Sequence, residues 1–198
     1  MAVSLDACGG LILAGGRSRR MGRCKALLPV GDATMLERIG RQMEVLPECW
    51  LSTNDPALAA AFSGEAVADV FVGKGPLAGI HAALLRTSRP YLFCVACDMP
   101  YFSGRIIGPM AEAFPEGADA LVCQDSTGRI HPLCGIYAKS ALPAITRCLQ
   151  SGQLRARDLL EQLRCAYFQT AGQFSDQILW NINTPEAYNS LREEEAFS

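Results

Sequence analysis

Short runs of consecutive apolar residues alternate along the chain with longer segments in which apolar residues recur every three or four positions. The runs are typical of strands buried on both faces of a sheet, and the spacing is typical of amphipathic helices. The predicted strands are GLIL, CWLST, AVADV, RPYLFCVAC, DALVCQ, HPLCGIYA and DQILWNIN. The predicted helices are ATMLERIGRQMEVL, PALAAAF, PLAGIHAALLRTS, GRIIGPMAEAF, ALPAITRCLQ, RARDLLEQL and TPEAYNSLR. This order predicts an α/β fold with a doubly wound, mostly parallel sheet that binds ligands beyond the carboxyl ends of its strands.

Length, composition and charge narrow the classes of protein that fit this pattern. The 198 residues, of which 49% are hydrophobic and 19% charged, are typical of one globular domain with a sizeable core. The net charge of −2 gives no general attraction to nucleic acid or to an anionic membrane. The N-terminus lacks the basic residues of a signal peptide, and no segment has the roughly 20 apolar residues of a membrane-spanning helix. We therefore expect a cytoplasmic protein in which any phosphate site is a local cluster of basic residues.

The nine cysteines raise the question of a disulfide framework or a metal site. Their number is odd and most of them lie within apolar runs, which indicates reduced thiols in the core. Cys94 and Cys97 form a CxxC motif. Positions three apart on an extended strand face opposite sides, so this pair is a weak candidate for a metal or redox site.

The segment LAGGRSRRMGRCK between two apolar runs is the strongest sign of chemistry. Gly15 and Gly16 allow the backbone to turn tightly and to approach a ligand closely. Four basic side chains follow, namely Arg17, Arg19, Arg20 and Lys25. Arginine matches the geometry of phosphate, and successive backbone N–H groups in such a turn can bind an anion. The spacing is neither that of a Walker loop nor GxGxxG, so the segment predicts a different kind of polyphosphate loop.

Two further strand ends carry acidic or glycine-rich segments. Asp98 ends the most apolar strand and either caps a turn or holds Mg²⁺ together with phosphate oxygens. Asp69 precedes the segment VFVGKGPLAGI, where it either stabilises a turn or accepts hydrogen bonds from a base or ribose. Pro76 opens a helix whose N-terminus can face an anion. An acidic residue after the next strand, which a nicotinamide dinucleotide site requires, is not apparent.

The second half of the chain gives weaker signals. His131 is either a structural histidine beside a proline or part of a second substrate site. His81 lies within a predicted helix and is interpreted as a packing or surface residue. Arg155 and Arg157 open a predicted helix, where they either bind a substrate phosphate or form a solvated face.

Four segments together, LAGGRSRRMGRCK, GPLAGI, CDMPYF and NINTPEAY, resemble the MobA-like nucleotidyltransferases over nearly the whole chain. The resemblance implies a single domain with a Rossmann-like nucleotidyltransferase fold. It also implies Mg²⁺-dependent transfer of GMP from GTP to the terminal phosphate of molybdopterin, with release of pyrophosphate. The N-terminal half is then expected to bind the nucleotide and the C-terminal half the acceptor. Transient contact with molybdoenzymes or their chaperones is a further implication.

The resemblance also assigns roles to individual residues. It places the nucleotide against Leu13, Ala14, Gly15, Gly16, Lys25, Asp69, Pro76, Leu77 and Asp98. It gives catalytic roles to Arg20, near the departing pyrophosphate, to Lys25, at the phosphates, and to Asp98, which would bind Mg²⁺. It places Asn183 and His131 in the half of the site that binds the acceptor.

Two positions depart from the family pattern. Cys24 stands where the family often has aspartate, and Ser52–Thr53–Asn54 replaces the usual Asn-x-Asn. Which side chain of that triplet contacts the nucleotide therefore stays open. Two other functions also stay open, namely a nucleotidyltransferase that uses CTP or another phosphorylated acceptor, and a non-catalytic protein that delivers the cofactor.

Overall fold

A seven-stranded sheet forms the centre of the computed structural model, which describes residues 2–14 and 24–196. The strands are β1 (Cys8–Leu13), β2 (Pro29–Val30), β3 (Ala33–Thr34), β4 (Cys49–Ser52), β5 (Glu65–Val67), β6 (Tyr91–Ala96), β7 (Ala120–Gln124), β8 (Ile130–Ala138) and β9 (Cys165–Gln169). Their order in the sheet is β5-β4-β1-β6-β8-β7-β9, and β2 and β3 form a separate hairpin. All neighbouring pairs in the large sheet are parallel except those of β8, which runs antiparallel to β6 and β7. The predicted mostly parallel sheet is confirmed.

Helices cover both faces of this sheet. They are α1 (Met35–Met43), α2 (Pro56–Ala61), α3 (Pro76–Arg86), α4 (Ile107–Glu112), α5 (Leu142–Ser151), α6 (Ala156–Leu160) and α7 (Pro185–Ala196). Helices α1 and α4 contribute buried side chains to the core on one face, and α3 and α5 contribute to the core on the other. This arrangement confirms the predicted doubly wound α/β domain. None of the helices in the described ranges is long and apolar enough to cross a membrane.

Alternation along the central strands divides the core into two layers. Phe93 and Val95 of β6 pack in the layer that contains α1, whereas Leu92 and Cys94 pack in the layer that contains α3. Cys97 contacts the first layer, so the two thiols of the CxxC motif belong to opposite sides of the sheet, as the strand period predicts. All nine cysteines are free thiols.

Local sequence explains where the helices beside the site begin. Thr34 and Glu37 form a capping box at the start of α1, in which Thr34 Oγ1 accepts from the Glu37 N–H at 3.2 Å. Pro76 occupies the first turn of α3, and Gly75 before it has a φ of +73°, which favours glycine. Gly79 lets α3 lie against β4, because a Cβ atom there would lie 2.2 Å from Ser52 Oγ.

The last predicted strand is wrong. Residues of DQILWNIN form a short 3-10 helix, Asp176–Leu179, followed by an extended segment outside the sheet. Ile178 and Leu179 are buried side by side, and such an adjacent apolar pair also occurs in a strand covered on both faces, so the apolar pattern did not distinguish the two structures. The seventh strand of the sheet is instead β9, which the sequence pattern missed because it is a largely exposed edge strand with one buried residue, Phe168.

Candidate functional site

The candidate site lies where the direction of the chain across the sheet reverses. From β1 the chain continues to β4 and β5 on one side, and then crosses to β6 on the other. The carboxyl ends of strands separate at such a point and leave a crevice for ligands. A cavity of about 440 Å³ opens there. Its lining comes from residues 13–14, 24–26, 76, 96–99 and 129–134, together with Asn181 and Asn183.

Lys25 reaches across this cavity to the C-terminal part of the chain. Its Nζ donates to the Ile182 carbonyl at 2.7 Å and to Asn183 Oδ1 at 3.1 Å. The same ammonium lies 3.5 Å from Asp98 Oδ2, and the Lys25 side chain is 17% exposed. Three oxygen atoms from distant segments therefore hold the lysine at the cavity wall.

Asp98 is fixed by the segment that follows the 3-10 helix. Asn181 Nδ2 donates to Asp98 Oδ1 at 2.8 Å, and the Ile182 N–H donates to the Asp98 carbonyl at 2.8 Å. Because Asn181 and Lys25 contact different carboxylate oxygens, the orientation of Asp98 is defined on both sides. The predicted partners Lys25, Asp98 and Asn183 do converge in this structure.

The donor set at Asp98 fits a hard cation that is completed by substrate. Within residues 2–14 and 24–196, no three His, Cys, Asp or Glu side chains converge as a metal site. Magnesium typically binds through one or two carboxylates together with phosphate oxygens and water. A single carboxylate that is 20% exposed at the cavity, beside the side-chain amide of Asn181, is compatible with that mode.

Cys97, one of three cysteines that line the cavity, is unsuited to nucleophilic chemistry. Cys24 and Cys97 line the cavity next to Lys25 and Asp98. Burial raises the pKa of the Cys97 thiol to about 12, with the charge of Asp98 acting in the same direction. Since the thiolate is the nucleophilic form, Cys97 stays neutral and unreactive at ordinary pH.

Asp69 lies at the carboxyl edge of the sheet, in the loop after β5, and does not line the cavity. Asn54 holds it on two sides, because Asn54 Nδ2 donates to Asp69 Oδ2 at 2.8 Å and the Asp69 N–H donates to Asn54 Oδ1 at 3.1 Å. Ser52 Oγ lies 3.5 Å from Asp69 Oδ1. The triplet that departs from the family pattern therefore supports the aspartate.

The other expected nucleotide contacts divide into lining and buried residues. Leu13, Ala14 and Pro76 line the cavity. The Leu77 side chain is fully buried in the core of the α3 layer, so at this position the backbone is the part that can face a ligand. Gly15, Gly16, Arg17, Arg19 and Arg20 lie outside the described residues. Ala14 and Cys24, on either side of that segment, both line the cavity.

His131 lines the opposite wall of the cavity, on β8. Its Nε2 lies 3.0 Å from Asp125 Oδ2, and the two side chains are 10% and 13% exposed. His81 is buried between α3 and α5, with Nε2 at 3.2 Å from Thr146 Oγ1, and burial lowers its pKa. This position agrees with the predicted packing role of His81. Arg155 and Arg157 are exposed at α6 and do not line the cavity.

Sequence reasoning missed Asn181 and Asp125, and it left open which residue of the triplet Ser52–Thr53–Asn54 acts; in the structure Asn54 contacts Asp69. Asn181 belongs to the same NIN segment as Asn183, and positions two apart on an extended segment share a side, so the motif contained the signal. Asp125 opens the turn sequence DSTG, which is typical of an aspartate that accepts from its own turn. Neither pattern reveals which distant side chain is the partner.

Comparison with known proteins gives the same fold and a consistent family. The profile of the MobA-like NTP transferase domain matches residues 10–167. A probable molybdenum cofactor guanylyltransferase from Peptoclostridium acidaminophilum is 33% identical over 93% of this chain and 90% of its own length. A protein of the same description from Pelotomaculum thermopropionicum is 35% identical, over 89% of this chain and 87% of its own.

Solved structures with lower identity support the architecture. The crystal structure of molybdopterin-guanine dinucleotide biosynthesis protein A from Archaeoglobus fulgidus matches with a TM-score of 0.84 at 24% identity, covering 96% of this chain and 100% of that one. The crystal structure of 2-C-methyl-D-erythritol 4-phosphate cytidylyltransferase from Thermus thermophilus gives a TM-score of 0.68 at 17% identity, over 99% of this chain and 100% of that one. These two structures share the fold of the sheet and its helices.

Proposed function

Because the chain belongs to the MobA-like NTP transferase family and is therefore a nucleotidyltransferase, we propose that it transfers GMP from GTP to the terminal phosphate of molybdopterin. The products are the guanine dinucleotide form of the molybdenum cofactor and pyrophosphate. The names of the two bacterial relatives support this donor and this acceptor. The observation that carries the chemistry is the convergence of Lys25, Asp98 and Asn183 at the cavity.

In this reaction the protein positions two anionic reactants, and the acceptor, rather than the protein, supplies the nucleophile. An ionised phosphate of the acceptor attacks the α-phosphorus of the nucleotide, and the bond from that phosphorus to the departing pyrophosphate breaks. Positioning in line and stabilising the charge are then the main sources of rate.

Lys25 and Asp98 are the charged pair in this proposal. Lys25 binds the phosphates of the nucleotide, and its anchor to Ile182 and Asn183 limits its motion. Asp98 holds Mg²⁺, for which its donor set is suited. The ion held there would supply positive charge that offsets the negative charge of the phosphate groups. Arg20, by its family resemblance, balances charge on the pyrophosphate.

The N-terminal half of the chain supplies the nucleotide site in this proposal. Leu13, Ala14 and Pro76 lie at the cavity, and Gly15 and Gly16 are assigned from the sequence alone. Asp69, held by Asn54, accepts hydrogen bonds from the base or ribose. The backbone at Leu77 contributes at the start of α3.

The C-terminal half supplies the acceptor site, through Asn183 and His131. The Lys25–Asn183 hydrogen bond joins two residues 158 positions apart, so the two halves meet directly at the site. A cytoplasmic location and transient contact with molybdoenzymes or their chaperones remain predictions.

Incubation of the purified protein with molybdopterin, Mg²⁺ and either GTP or CTP tests the proposal. We expect a guanine dinucleotide product by mass spectrometry, with stoichiometric release of pyrophosphate from GTP and little from CTP. Preference for CTP would identify a cytidylyltransferase instead. Tight binding of the nucleotide and molybdopterin without any pyrophosphate release would indicate a carrier protein.

A further inference from the structure

Strand β8 is irregular where it forms the far wall of the cavity. Residues 132–134 have no partner on β7, because His131 and Gly135 face consecutive β7 residues. The pairing of β8 with β6 ends at Cys134, so residues 130–133 extend past the last paired residue of β6. An insertion of this kind re-aims the side chains of a strand. As a result, His131 lies beyond the paired part of β6, at the same edge of the sheet as Asp98.

The irregular segment is held in place from the core. The Tyr137 hydroxyl, on a fully buried side chain, donates to the Pro132 carbonyl at 2.8 Å. Proline has no N–H to donate to a neighbouring strand, so Pro132 is tolerated in this unpaired part of β8. The position of His131 therefore follows from the fold rather than from a mobile loop.

The two carboxylate oxygens of Asp125 have different partners: Oδ1 accepts from the turn that follows, and Oδ2 contacts His131. Its Oδ1 accepts from the Thr127 N–H at 3.0 Å, the Thr127 hydroxyl at 2.6 Å and the Arg129 N–H at 2.9 Å. Its Oδ2 lies 3.0 Å from His131 Nε2. Burial works in the other direction, but the hydrogen bonds from His131, Thr127 and Arg129 hold the pKa of Asp125 well below its usual range.

An ionised carboxylate accepts hydrogen bonds only, so the proton of the shared contact belongs to His131 Nε2. The second ring nitrogen, Nδ1, has no hydrogen-bond partner in the part of the chain that the structure describes, although the ring lines the cavity. A carboxylate that fixes one imidazole nitrogen and leaves the other facing a substrate is the usual way to define both tautomer and orientation.

We propose that Asp125 positions His131 so that Nδ1 binds the phosphate of the acceptor, with the Asp125 carboxylate balancing the charge of the imidazole in the complex. This inference rests on the proposed function and assigns Asp125 as a positioning residue. We assign this contact to the phosphate of the acceptor because His131 lies at the same edge of the sheet as Asp98 and lines the same cavity. Nδ1 of the Nε2–H tautomer and an ionised phosphate oxygen are both acceptors, so the contact takes up one proton from solvent and becomes a charge-assisted hydrogen bond.

Asp119 provides a matched control for Asp125. It precedes β7, whereas Asp125 follows that strand, so the two carboxylates lie at opposite edges of the sheet. Asp119 is also held in a network, accepting from Arg164 Nη2 at 3.0 Å and from the Ser140 hydroxyl at 2.6 Å. Loss of either carboxylate removes comparable structural hydrogen bonds, but only Asp125 contacts a residue of the cavity.

Steady-state kinetics of Asp125→Asn and Asp119→Asn separate the two roles. In Asp125→Asn the amide oxygen can still accept from the turn, but the charge opposite Nε2 is lost. We expect the KM for molybdopterin to rise about 10-fold in Asp125→Asn, with the KM for GTP within about twofold of wild type. We expect both KM values to be unchanged in Asp119→Asn. Equal effects of the two variants, or no effect of Asp125→Asn, would overturn the proposal.

Substitutions of His131 itself test the proposed contact without altering the turn that Asp125 stabilises. The amide nitrogen of glutamine lies near the position of Nε2, and that of asparagine lies near the position of Nδ1. We expect His131→Gln to raise the KM for molybdopterin about 10-fold, and His131→Asn to recover part of that loss. Equal KM values in wild type and both variants would contradict a phosphate contact through Nδ1.

Nitrogen NMR gives a readout that does not depend on turnover, because the chain has two histidines and His81 serves as an internal reference. We expect the Nε2–H tautomer at His131 in the wild type, its loss in Asp125→Asn, and a shift of the His131 Nδ1 resonance when molybdopterin is added. An unmoved Nδ1 resonance at saturating molybdopterin would overturn the inference. A wild-type protein that binds molybdopterin through Nδ1 but does not transfer GMP would overturn the proposed function alone.

Discussion

At the scale of single residues, Lys25 and Asp98 form the centre of the site, and each contacts oxygen or nitrogen atoms of the segment 181–183. The Asn181–Asp98 contact spans 83 positions of the chain and the Lys25–Asn183 contact spans 158. Both side chains are largely enclosed, with 17% and 20% exposure. Charges in such a setting are screened less than surface charges, so removal of either one is expected to affect the reaction strongly.

Lys25→Ala tests the phosphate role of the lysine. Loss of the ammonium removes a positive charge from the nucleotide phosphates, so we expect kcat/KM for GTP to fall by on the order of 100-fold. Steady-state pyrophosphate release measures this change. Lys139→Ala, which removes an exposed lysine outside the cavity, is the control and should retain wild-type kinetics. Unchanged GTP affinity and rate in Lys25→Ala would argue against a phosphate contact.

Asp98→Asn tests the metal role of the carboxylate. The substitution keeps the size of the side chain but removes the charge that a divalent cation requires, so we expect Mg²⁺-dependent turnover to fall by about 100-fold or more. Rates measured against Mg²⁺ concentration, with circular dichroism as the check on folding, give the result. Asp32→Asn removes a carboxylate that is 90% exposed and should behave as wild type. A fully active Asp98→Asn protein would rule out Asp98 as the metal ligand.

At the scale of elements, the packing of α3 against β4 connects the fold to the site. Helix α3 begins at Pro76, which lines the cavity, and at Gly79 it approaches β4 so closely that only a glycine fits. Ser52 Oγ would lie 2.2 Å from an added Cβ atom. The same Ser52 is near Asp69, so displacement of the helix would disturb two parts of the proposed nucleotide site.

Gly79→Ala therefore has a predicted structural cost. Overpacking of this kind destabilises a domain by about 1–3 kcal/mol, and we expect a comparable drop in the free energy of unfolding together with weaker GTP binding. Urea denaturation and GTP titration measure the two effects. Gly108→Ala in α4 is the matched control, because an added Cβ there meets no atom of another element within 4 Å. Its free energy of unfolding should stay the same or rise slightly, since alanine favours a helix over glycine. A Gly79→Ala protein as stable as wild type would show that α3 is free to shift.

The individual strands and helices also show which parts of the fold can be predicted from the sequence alone. The buried strands β1 and β6 and the amphipathic helix α1 were predicted because burial imposes a clear apolar pattern. The edge strand β9 has one buried residue, so its sequence carries little of that pattern, and a 3-10 turn with two adjacent buried residues imitated a strand. Exposure hid β9, and the hairpin strands β2 and β3, with two residues each, are too short to show a strand pattern.

At the scale of the whole molecule, the fold brings together residues that no local pattern connects. The sequence predicts Lys25 and Asp98 as site residues because each lies in a motif that resembles the family's, and the structure places the two side chains 3.5 Å apart. The hydrogen bonds of Asn181 to Asp98 and of Asn54 to Asp69 could not be predicted, since they depend on which strand ends are adjacent. The cavity lies where β1 and β6 are adjacent and the order in which strands are added to the sheet reverses.

The most direct test of the account is a crystal structure of the protein with GTP and Mg²⁺. We expect the triphosphate to lie in the cavity with an oxygen within hydrogen-bond distance of Lys25 Nζ, the metal bound to the Asp98 carboxylate, and the base beside Leu13 and Ala14. Density for the triphosphate or the metal at another edge of the sheet, with no contact to Lys25 or Asp98, would contradict the proposed site and the mechanism built on it.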